Sequence, residues 1–331
     1  MQFPPPVPTI AVSGASGYLG TRLISALVSE GGYRVRALRH RAAAAHDACV
    51  DELQGNLLQP ETLPPWLAPG CTVVHLAYMW HASPEENIRA TSNLVDACAS
   101  AGVARLVHVS TAAVIGRAAT SWVDEKTPCS PTTPYGRTKL RIEEVIHEGA
   151  RRHGFDLVVV RPTSVYGPGG APLMKLCHDL QHARWQKNYL KSCLFGRRAM
   201  NLVHIDNVVA ALRFLIGQAQ SLDGATCIVS EDADRANNFL DVEQVIRNTL
   251  GLPAYPVPIM ALPPAVLAAT LRVMGRNIVD PRCRFSQATI ESLGFSPVRS
   301  FADGLANFLD WYRKEMSADK RSNAQPGTAN G

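Results

Sequence analysis

The feature that most constrains the fold is the octet SGASGYLG, residues 13–20, because of where it stands in the chain. It follows the short apolar run TIAVS and precedes a stretch whose apolar residues recur at helical spacing. Between a strand and a helix, Gly14 allows a tight turn, Gly17 lets the backbone approach a pyrophosphate, and Gly20 lets the helix pack closely on the strand. The spacing is G-x-x-G-x-x-G rather than the commoner G-x-G-x-x-G. The octet therefore predicts a phosphate-binding turn.

Strand-like and helix-like runs alternate over the first half of the chain. The predicted strands are residues 9–13, 34–38, 71–77, 106–111 and 156–162, and the predicted helices are residues 18–30, 84–101 and 135–153. This alternation predicts an α/β fold, a Rossmann-type doubly wound parallel sheet with a smaller C-terminal substrate-binding region. We expect residues 1–165 to form the Rossmann domain, which parts of residues 200–235 rejoin, and residues 166–316 to form mainly the C-terminal region.

Composition restricts the class of protein. The chain has 331 residues, of which 46% are hydrophobic and 18% are charged, and its formal net charge is +5. These values are typical of a soluble globular protein, and the basic residues form only isolated pairs, so we expect no nucleic-acid partner. No uncharged apolar run reaches about 18 residues, so we expect no membrane span. The polar segment 317–331 predicts a disordered tail.

Cysteines and histidines suggest a reducing compartment and no metal. The eight cysteines are scattered and include no C-x-x-C pair, which favours a cytoplasmic protein. The N-terminus lacks a basic region followed by a long apolar run, so we expect no signal peptide. His178 and His182 have a spacing that can bind a metal, but the sequence shows no third ligand beside them.

The end of the second predicted strand bears on the choice of dinucleotide. In strand–turn–helix units of this kind, an acidic residue there binds the adenosine ribose of NAD, whereas an arginine accommodates the 2′-phosphate of NADP. The sequence RVRALRHR places Arg39 at that point, so NADP is favoured over NAD. The alternative is a basic surface loop with nothing bound. Further along, Asn56 and Leu57 are predicted to lie beside the adenine, and Leu76 and Ala77 to end the third predicted strand at the ligand-binding edge.

A second constellation, Tyr135 and Lys139, predicts proton transfer. Residues four apart on a helix share one face. A phenol with a pKa near 10 is a poor base at neutral pH, but a nearby ammonium group and an oxidised nicotinamide would lower that pKa. Thr111, at the end of another predicted strand, could hydrogen-bond the reacting oxygen. Alone, the Tyr–Lys pair would be an ordinary helix surface; behind a dinucleotide turn it favours hydride chemistry.

Together, these residues resemble the extended short-chain dehydrogenase/reductases, specifically the NAD-dependent epimerase/dehydratase family of nucleotide-sugar enzymes. The resemblance covers about residues 9–312. It is carried, in chain order, by SGASGYLG, VVHLA, NIRATSN, VHVSTAAVIG, DEKTP, PYGRTK, RPTSVYGPG, NLVHIDNVVAAL and the closing segment ATIESLGFSPVRSFADGLANFLDWY.

The resemblance implies a role for each matching residue. Tyr135 would be the acid/base, Lys139 would bind the nicotinamide ribose and lower the tyrosine pKa, and Thr111 would be the catalytic hydroxyl. The cofactor would contact Gly14, Ser16, Gly17, Tyr18, Leu19, Arg39, Asn56, Leu57, Leu76, Ala77, Tyr78, Tyr135, Lys139, Pro162 and Val165. The substrate would contact Tyr78, Thr111, Ala112, Tyr135, Ser164 and Arg282. The resemblance also implies a homodimer paired through the helix near residues 87–101 and the helix carrying Tyr135.

Departures from the family pattern reduce the number of reactions that we expect this chain to catalyse. Family dehydratases carry an Asp-Glu pair directly after the catalytic threonine, and here Ala112 and Ala113 occupy those positions. Elimination therefore lacks its acid and base. The segment Tyr78–His81 is bulky for its loop and would shape the substrate pocket. Met200 replaces an arginine expected to contact a diphosphate, while Arg282 and Arg284 remain candidates for that contact.

Three functions follow. The first is an NAD(P)-dependent nucleotide-sugar epimerase or ketoreductase, working in surface polysaccharide or sugar-nucleotide biosynthesis, with epimerisation and reduction not separated by the sequence. The second is an NADPH-dependent oxidoreductase of a non-sugar alcohol or ketone of hydroxysteroid type, which the bulky loop favours. The third is a non-catalytic dinucleotide sensor, which the retained Thr111, Tyr135 and Lys139 disfavour.

Overall fold

The structure is a computed structural model that describes residues 7–40, 48–118, 120–263, 265–266, 269 and 282–323. The strands are β1 (Thr9–Ser13), β2 (Arg34–Arg39), β3 (Val50–Gln54), β4 (Thr72–His75), β5 (Arg105–Val109), β6 (Trp122–Val123), β7 (Asp156–Pro162), β8 (Ser164–Tyr166), β9 (Leu202–His204), β10 (Ala225–Val229) and β11 (Arg284–Phe285). The helices are α1 (Tyr18–Glu30), α2 (Pro84–Ala101), α3 (Pro134–His153), α4 (Ala171–His182), α5 (Trp185–Phe195), α6 (Ile205–Ile216), α7 (Phe239–Thr249), α8 (Ala288–Ser292) and α9 (Phe301–Asn323).

Within these residues, seven parallel strands form one sheet in the order β10-β7-β5-β4-β1-β2-β3. The central strands read as near-continuous apolar runs because both of their faces are covered. The strand order reverses between β1 and β4, and in open α/β sheets ligands bind in the crevice at that point, outside the carboxyl ends of the strands. The octet that follows β1 opens onto this crevice.

Helices cover both faces of the sheet. On one face, Leu23 of α1 and Leu212 of α6 pack in a cluster that includes Val12 of β1. On the other, Leu94 of α2 and Ile142 of α3 pack in a second cluster. These two apolar layers confirm the predicted Rossmann-type doubly wound α/β fold.

The C-terminal region is built around its own apolar cluster. Tyr166, Leu173, Val242 and Phe308 are buried there, contributed by β8, α4, α7 and α9. Between these elements the chain returns to the main sheet, where α6 packs against α1 and β10 pairs with β7. None of the helices in the described ranges is long and apolar enough to cross a membrane.

Two buried polar side chains hold the returning segment, α6 and β10, in place. On β5, the Arg105 guanidinium pairs with Asp156 at 2.6 Å and donates to the carbonyls of Leu215, Gln218 and Gln220, at and just beyond the end of α6. After β10, the Glu231 carboxylate accepts hydrogen bonds from the amide of His204 and the side chains of Asn207 and Tyr166.

The structure differs from the sequence predictions in two places. Strand β3 escaped prediction because VDELQ lies at the sheet edge and is mostly polar and only partly buried. Helix α9 continues to Asn323, so residues 317–323 are helical and not part of a disordered tail. Their residues, SADKRSN, include no glycine or proline, so nothing breaks the helix there. The rest of the expected tail lies outside the described residues.

Candidate active site

The glycine turn after β1 has the geometry that a diphosphate needs. Gly14 has φ +70°, and a Cβ there would lie 2.7 Å from the amide nitrogen of Ala77. Only glycine fits both the left-handed conformation and this close approach to the end of β4. The Gly17 amide donates to the Gly14 carbonyl at 3.0 Å, and Gly17 is the N-cap of α1, which begins at Tyr18. In the described structure no side chain caps this helix start, and its first turn carries no acidic residue. The residues therefore fit an anionic group at the N-terminus of α1.

Of the other residues predicted around this turn, Ser16 is exposed and the side chains of Tyr18 and Leu19 pack against the protein. The Tyr18 hydroxyl is buried with no hydrogen-bond partner among the described residues, and burial raises its pKa to about 12. A Cβ at Gly170 would lie 2.8 Å from that hydroxyl, so the ring packs against the loop after β8. Tyr18 and Leu19 can therefore offer a cofactor their backbone amides more readily than their side chains.

The residues predicted around the adenosine lie at the ends of β2 and β3. The Arg39 guanidinium lies 3.7 Å from the Glu52 carboxylate, and the side chain of Arg39 is 36% exposed. The Asn56 amide donates to Thr62 Oγ1 at 2.9 Å, and Leu57 is buried in the core. Arg39 thus has an acidic neighbour that partly offsets its charge, and the preference for NADP stays a prediction.

Tyr135 and Thr111 meet because two short turns pack closely. Thr133 caps α3 by accepting a hydrogen bond from the Gly136 amide, which sets Tyr135 in the first turn of the helix. A Cβ at Gly136 would lie 2.8 Å from the Ala113 carbonyl oxygen, so a larger residue would push α3 away from the turn after Thr111. The Thr111 side chain lies close enough to the Tyr135 phenol to lower its pKa. The structure thus brings the predicted hydroxyl and phenol together.

Lys139 lies one helical turn further along α3 and is almost wholly buried, at 3% exposure. Its Nζ donates to the Val109 carbonyl at 2.7 Å and lies 5.7 Å from the centre of the Tyr78 ring. Burial lowers the pKa of Lys139 to about 8. Burial raises the pKa of Tyr135 to about 12, with Tyr78 acting in the same direction and the Thr111 side chain opposing both. The lowering of the tyrosine pKa by Lys139 and a nicotinamide stays a prediction.

Sequence reasoning missed a row of buried polar groups beneath Lys139. Ser13 Oγ and His75 Nδ1 lie 2.7 Å apart, and the His75 ring stacks on His108 with centres 5.2 Å apart. Burial and the neighbouring Lys139 charge lower the pKa of His75 to about 3, and burial also lowers that of His108. In the described structure neither ring nitrogen of His108 nor Ser110 Oγ has a partner. The sequence signal for this row of polar groups was the presence of polar residues inside otherwise apolar strands.

Three aromatic rings form the mouth of the site. The Trp80 ring stacks on Tyr135, with centres 5.0 Å apart and planes 20° apart. Tyr78 meets both rings edge-on, at 4.9 Å from Trp80 and 5.1 Å from Tyr135. The side chain of Asn87, at the start of α2, accepts a hydrogen bond from the Met79 amide and donates one to the Met79 carbonyl. We call Tyr78 and Trp80 the aromatic pair.

The remaining predicted residues divide into those at the site and those elsewhere. Ala112 is buried beside Thr111, Pro162 ends β7, and Ser164 and Val165 follow at the same edge of the sheet. Arg282 is exposed. The candidate Arg284 is already engaged, since its guanidinium donates to the carbonyls of Asp232, Asp234 and Arg235 at 2.5, 2.9 and 3.4 Å. Three backbone carbonyls therefore already engage its guanidinium, and contact of Arg284 with a diphosphate stays a prediction.

Known proteins are similar to this chain in sequence and in fold. Curated relatives include mouse dTDP-D-glucose 4,6-dehydratase, 27% identical over 236 residues that cover 70% of this chain and 61% of the mouse protein. A second is a 4-hydroxy-2-methyl-3-oxo-4-farnesyl-3,4-dihydroquinoline-1-oxide ketoreductase from Stigmatella aurantiaca, 33% identical over 214 residues, or 60% of this chain and 61% of that one. The chain spans between half and two thirds of the length of the first curated relatives it matches.

The fold also matches a solved structure, UDP-glucuronic acid 4-epimerase from Bacillus cereus in complex with NAD. The TM-score is 0.71 at 20% identity, covering 94% of this chain and 98% of the epimerase. The family model described as NAD-dependent epimerase/dehydratase matches residues 10–228, about two thirds of the chain. This chain therefore belongs to the NAD-dependent epimerase/dehydratase family.

Proposed function

We propose that this chain is an NAD(P)-dependent epimerase or ketoreductase that transfers hydride at a carbinol or carbonyl carbon, with a nucleotide sugar as substrate and Tyr135 as acid/base. The observation that carries the proposal is the placement of Tyr135 beside Thr111 and one helical turn before the buried Lys139. A non-catalytic sensor would not need these groups. The dinucleotide would lie along the glycine turn and supply or take up the hydride.

The side chains would divide the remaining work. Thr111 would hydrogen-bond the substrate oxygen and hold it beside the Tyr135 phenol. In reduction, Tyr135 would give its proton to the carbonyl oxygen as the carbonyl carbon takes up the hydride that a bound reduced dinucleotide would supply, and solvent would return a proton to Tyr135. In oxidation both transfers reverse. The buried ammonium group of Lys139 would stabilise the phenolate between the two.

Elimination of water does not fit the residues beside Thr111. A dehydratase needs an acid and a base to remove a proton at one carbon and water at the next. Ala112 and Ala113 stand at the positions where the family's dehydratases carry them, and alanine can do neither. The likeness to dehydratases such as the mouse relative therefore supports the family and not the reaction.

A Tyr135→Phe variant tests the proposal. We expect its kcat/KM to fall by about 10²- to 10⁴-fold, because the acid/base is lost while the ring that packs in the site remains. Dinucleotide binding, followed by fluorescence of the reduced cofactor, should be unchanged. Comparison of NADPH with NADH in the same titration tests the role of Arg39. A Tyr135→Phe variant that turns over at the wild-type rate would refute the proposal.

Mass spectrometry and NMR of the products separate the two reactions. Wild-type enzyme with UDP-sugars that keeps its cofactor and leaves product mass unchanged is an epimerase. A gain of two hydrogens that requires added NADPH identifies a reductase.

A non-sugar ketone is the second candidate, favoured by the aromatic pair at the site mouth. Family resemblance alone points to nucleotide sugars, but the Stigmatella relative is a ketoreductase of a quinoline N-oxide. Pairing of two copies through α2 and α3 is a further proposal, which size-exclusion chromatography with light scattering would test.

A further inference from the structure

Helix α5 has polar side chains on its inner side and large apolar side chains on its outer side. Asn188 and Ser192, one turn apart, are 4% and 0% exposed, whereas Trp185 is 46% and Leu190 is 65% exposed. The inner side is held by polar contacts, among them a hydrogen bond of 2.5 Å from the Ser192 hydroxyl to the Glu243 carboxylate. A surface helix of a water-soluble protein ordinarily has the opposite arrangement. The outer side of α5 therefore favours an apolar neighbour over water.

A second segment extends this apolar surface. Residues 256–263, PVPIMALP, are all exposed and carry no charge. The Leu262 amide donates to the Cys193 carbonyl at 2.8 Å, and the Tyr189 hydroxyl donates to the Pro258 carbonyl at 2.9 Å. These two bonds place the segment alongside α5. We call the combined surface the α5 face, and its exposed large apolar side chains are Trp185, Leu190, Val257, Ile259, Met260 and Leu262.

Clustering distinguishes the α5 face from ordinary surface residues. Single exposed apolar side chains are common, but a contiguous group of them marks a surface that binds a protein or a membrane. Met260, at 77%, has the highest exposure among the large apolar side chains in the part of the chain that the structure describes. The α5 face therefore needs a partner that accepts apolar side chains projecting from the protein.

The charges beside these apolar side chains are basic. Helix α5 and its N-cap Arg184 include Lys187 and Lys191 but no acidic residue. Lys191 pairs with Asp179 of α4 at 2.7 Å, whereas Arg184 and Lys187 are exposed. Lys187 and Leu190 are three residues apart and share one side of the helix. A second copy of the chain would bring the same cations to this edge, so the charges complement an anionic partner better than another copy.

We propose that the α5 face docks the protein on the surface of a membrane that contains anionic lipids. Trp185, Leu190 and Met260 would enter the boundary between headgroups and acyl chains, and Arg184 and Lys187 would contact the anionic headgroups. Docking of this kind is peripheral and needs no spanning helix. It goes beyond the proposed hydride transfer and does not depend on it.

Vesicle flotation of the full chain tests the docking. The protein should float with vesicles of phosphatidylcholine that contain about one quarter phosphatidylglycerol, and should remain behind with phosphatidylcholine alone. High salt should weaken the binding, because it screens the headgroup charge. Lys187→Glu should lower the partition coefficient about 10- to 30-fold. Lys314→Glu, which makes the same charge change at an exposed position of α9, is the control.

The apolar contribution has its own variant. Leu190→Gln should lower the partition coefficient about 5-fold or more, because the side chain no longer gains from leaving water. Val298→Gln is the control, since Val298 is 66% exposed outside the α5 face. All four side chains are exposed, so we expect each variant to fold, and far-ultraviolet circular dichroism checks this.

Quenching by brominated lipids identifies the surface that meets the bilayer. Bound to anionic vesicles, the wild type should lose tryptophan fluorescence to brominated acyl chains. Trp185→Phe should remove most of this quenching, and Trp80→Phe should retain it. The inference would be overturned by absent flotation, by equal binding to neutral vesicles, or by unchanged binding in both Leu190→Gln and Lys187→Glu. A wild-type oligomer that Leu190→Gln dissociates in light scattering would also overturn it, and would make the α5 face a contact between copies of this chain.

Discussion

Lys139 places an ammonium group where water hardly reaches, and this location has a cost in stability. The unfolded chain holds the lysine proton up to its ordinary pKa of 10.5, whereas the folded chain releases it near pH 8. Between these values the unfolded state binds more protons, so the free energy of unfolding rises with pH. At neutral pH the folded protein therefore bears the full desolvation cost of this buried cation.

Lys139→Met should remove this dependence. We expect the wild-type free energy of unfolding, measured by urea denaturation, to rise relative to the variant between pH 8 and pH 10, by on the order of 1–3 kcal/mol. Activity should be lost in the variant. The exposed Lys187→Met is the control and should follow the wild-type slope. If the free energy of unfolding changed with pH in parallel in the wild type and in Lys139→Met, burial would not shift the pKa of this lysine.

At the scale of residues, the sequence predicts contacts between residues that share a motif. It does not predict contacts between residues that only the fold brings together. Tyr135 and Lys139 are four apart on one helix, so spacing alone places them together. His75 and His108 stack because β4 and β5 pair in one particular register, which no local pattern specifies. Trp80 was noticed as a bulky residue, but its stacking on Tyr135 depends on a contact between a loop and α3.

At the scale of elements, Asn87 links α2 to the loop that carries the aromatic pair. It is 4% exposed, and its amide makes three hydrogen bonds to that loop. Through Asn87 the helix therefore fixes the backbone next to Trp80. Asn87 is a positioning residue for the site mouth.

Asn87→Ala should release the loop. Three backbone groups lose a partner, so we expect the protein to be destabilised by about 1–3 kcal/mol and amide hydrogen exchange to increase over residues 78–83. KM for the substrate should rise more than kcat falls, since the variant changes the loop at the mouth of the site and leaves the Tyr135 side chain in place. Asn93→Ala is the matched control, because Asn93 on the same helix holds Leu57 instead. Equal exchange at residues 78–83 in wild type and Asn87→Ala would contradict this role.

Element boundaries were predictable where apolar periodicity was strong. Helices α1 and α2 and strands β1 and β7 begin and end where the sequence predicts. The polar edge strand β3 had no such signal, because an edge strand buries little and needs few apolar residues. Helix α9 extends beyond its apolar periodicity, because residues that allow a helix continue after the last residues that pack against the protein.

At the scale of the whole molecule, Glu231 connects the returning segment to the C-terminal region. Its carboxylate accepts from groups of β8, β9 and α6, and burial raises its pKa to about 7. The ordinary value is 4.5, so between pH 4.5 and 7 the folded state binds a proton that the unfolded state lacks. The stability from this group is complete below pH 4.5 and is lost as pH rises through 7.

Glu231→Gln should flatten that dependence. We expect the free energy of unfolding of the wild type to fall by on the order of 1–3 kcal/mol more than that of the variant between pH 4.5 and 7.5, as measured by urea denaturation. Some slope should remain, because burial also raises the pKa of Asp232, to about 6. Asp303→Asn, on the exposed side of α9, serves as the control. If the free energy of unfolding changed with pH by the same amount in Glu231→Gln and in the wild type, Glu231 would not be the cause of this pH dependence.

The position of β10 has a consequence for synthesis on the ribosome. Strand β7 is made before α4, α5 and α6, yet the strand that covers its outer edge follows all three. Until β10 emerges, the edge of DLVVVRP offers unpaired backbone groups and apolar side chains to any neighbouring chain. The nascent protein therefore passes through a stage in which six of the seven strands of the sheet have been made but the outer edge of β7 is unprotected. A fragment cut at the apparent end of the Rossmann domain, before residue 225, would remain at that stage permanently and would aggregate.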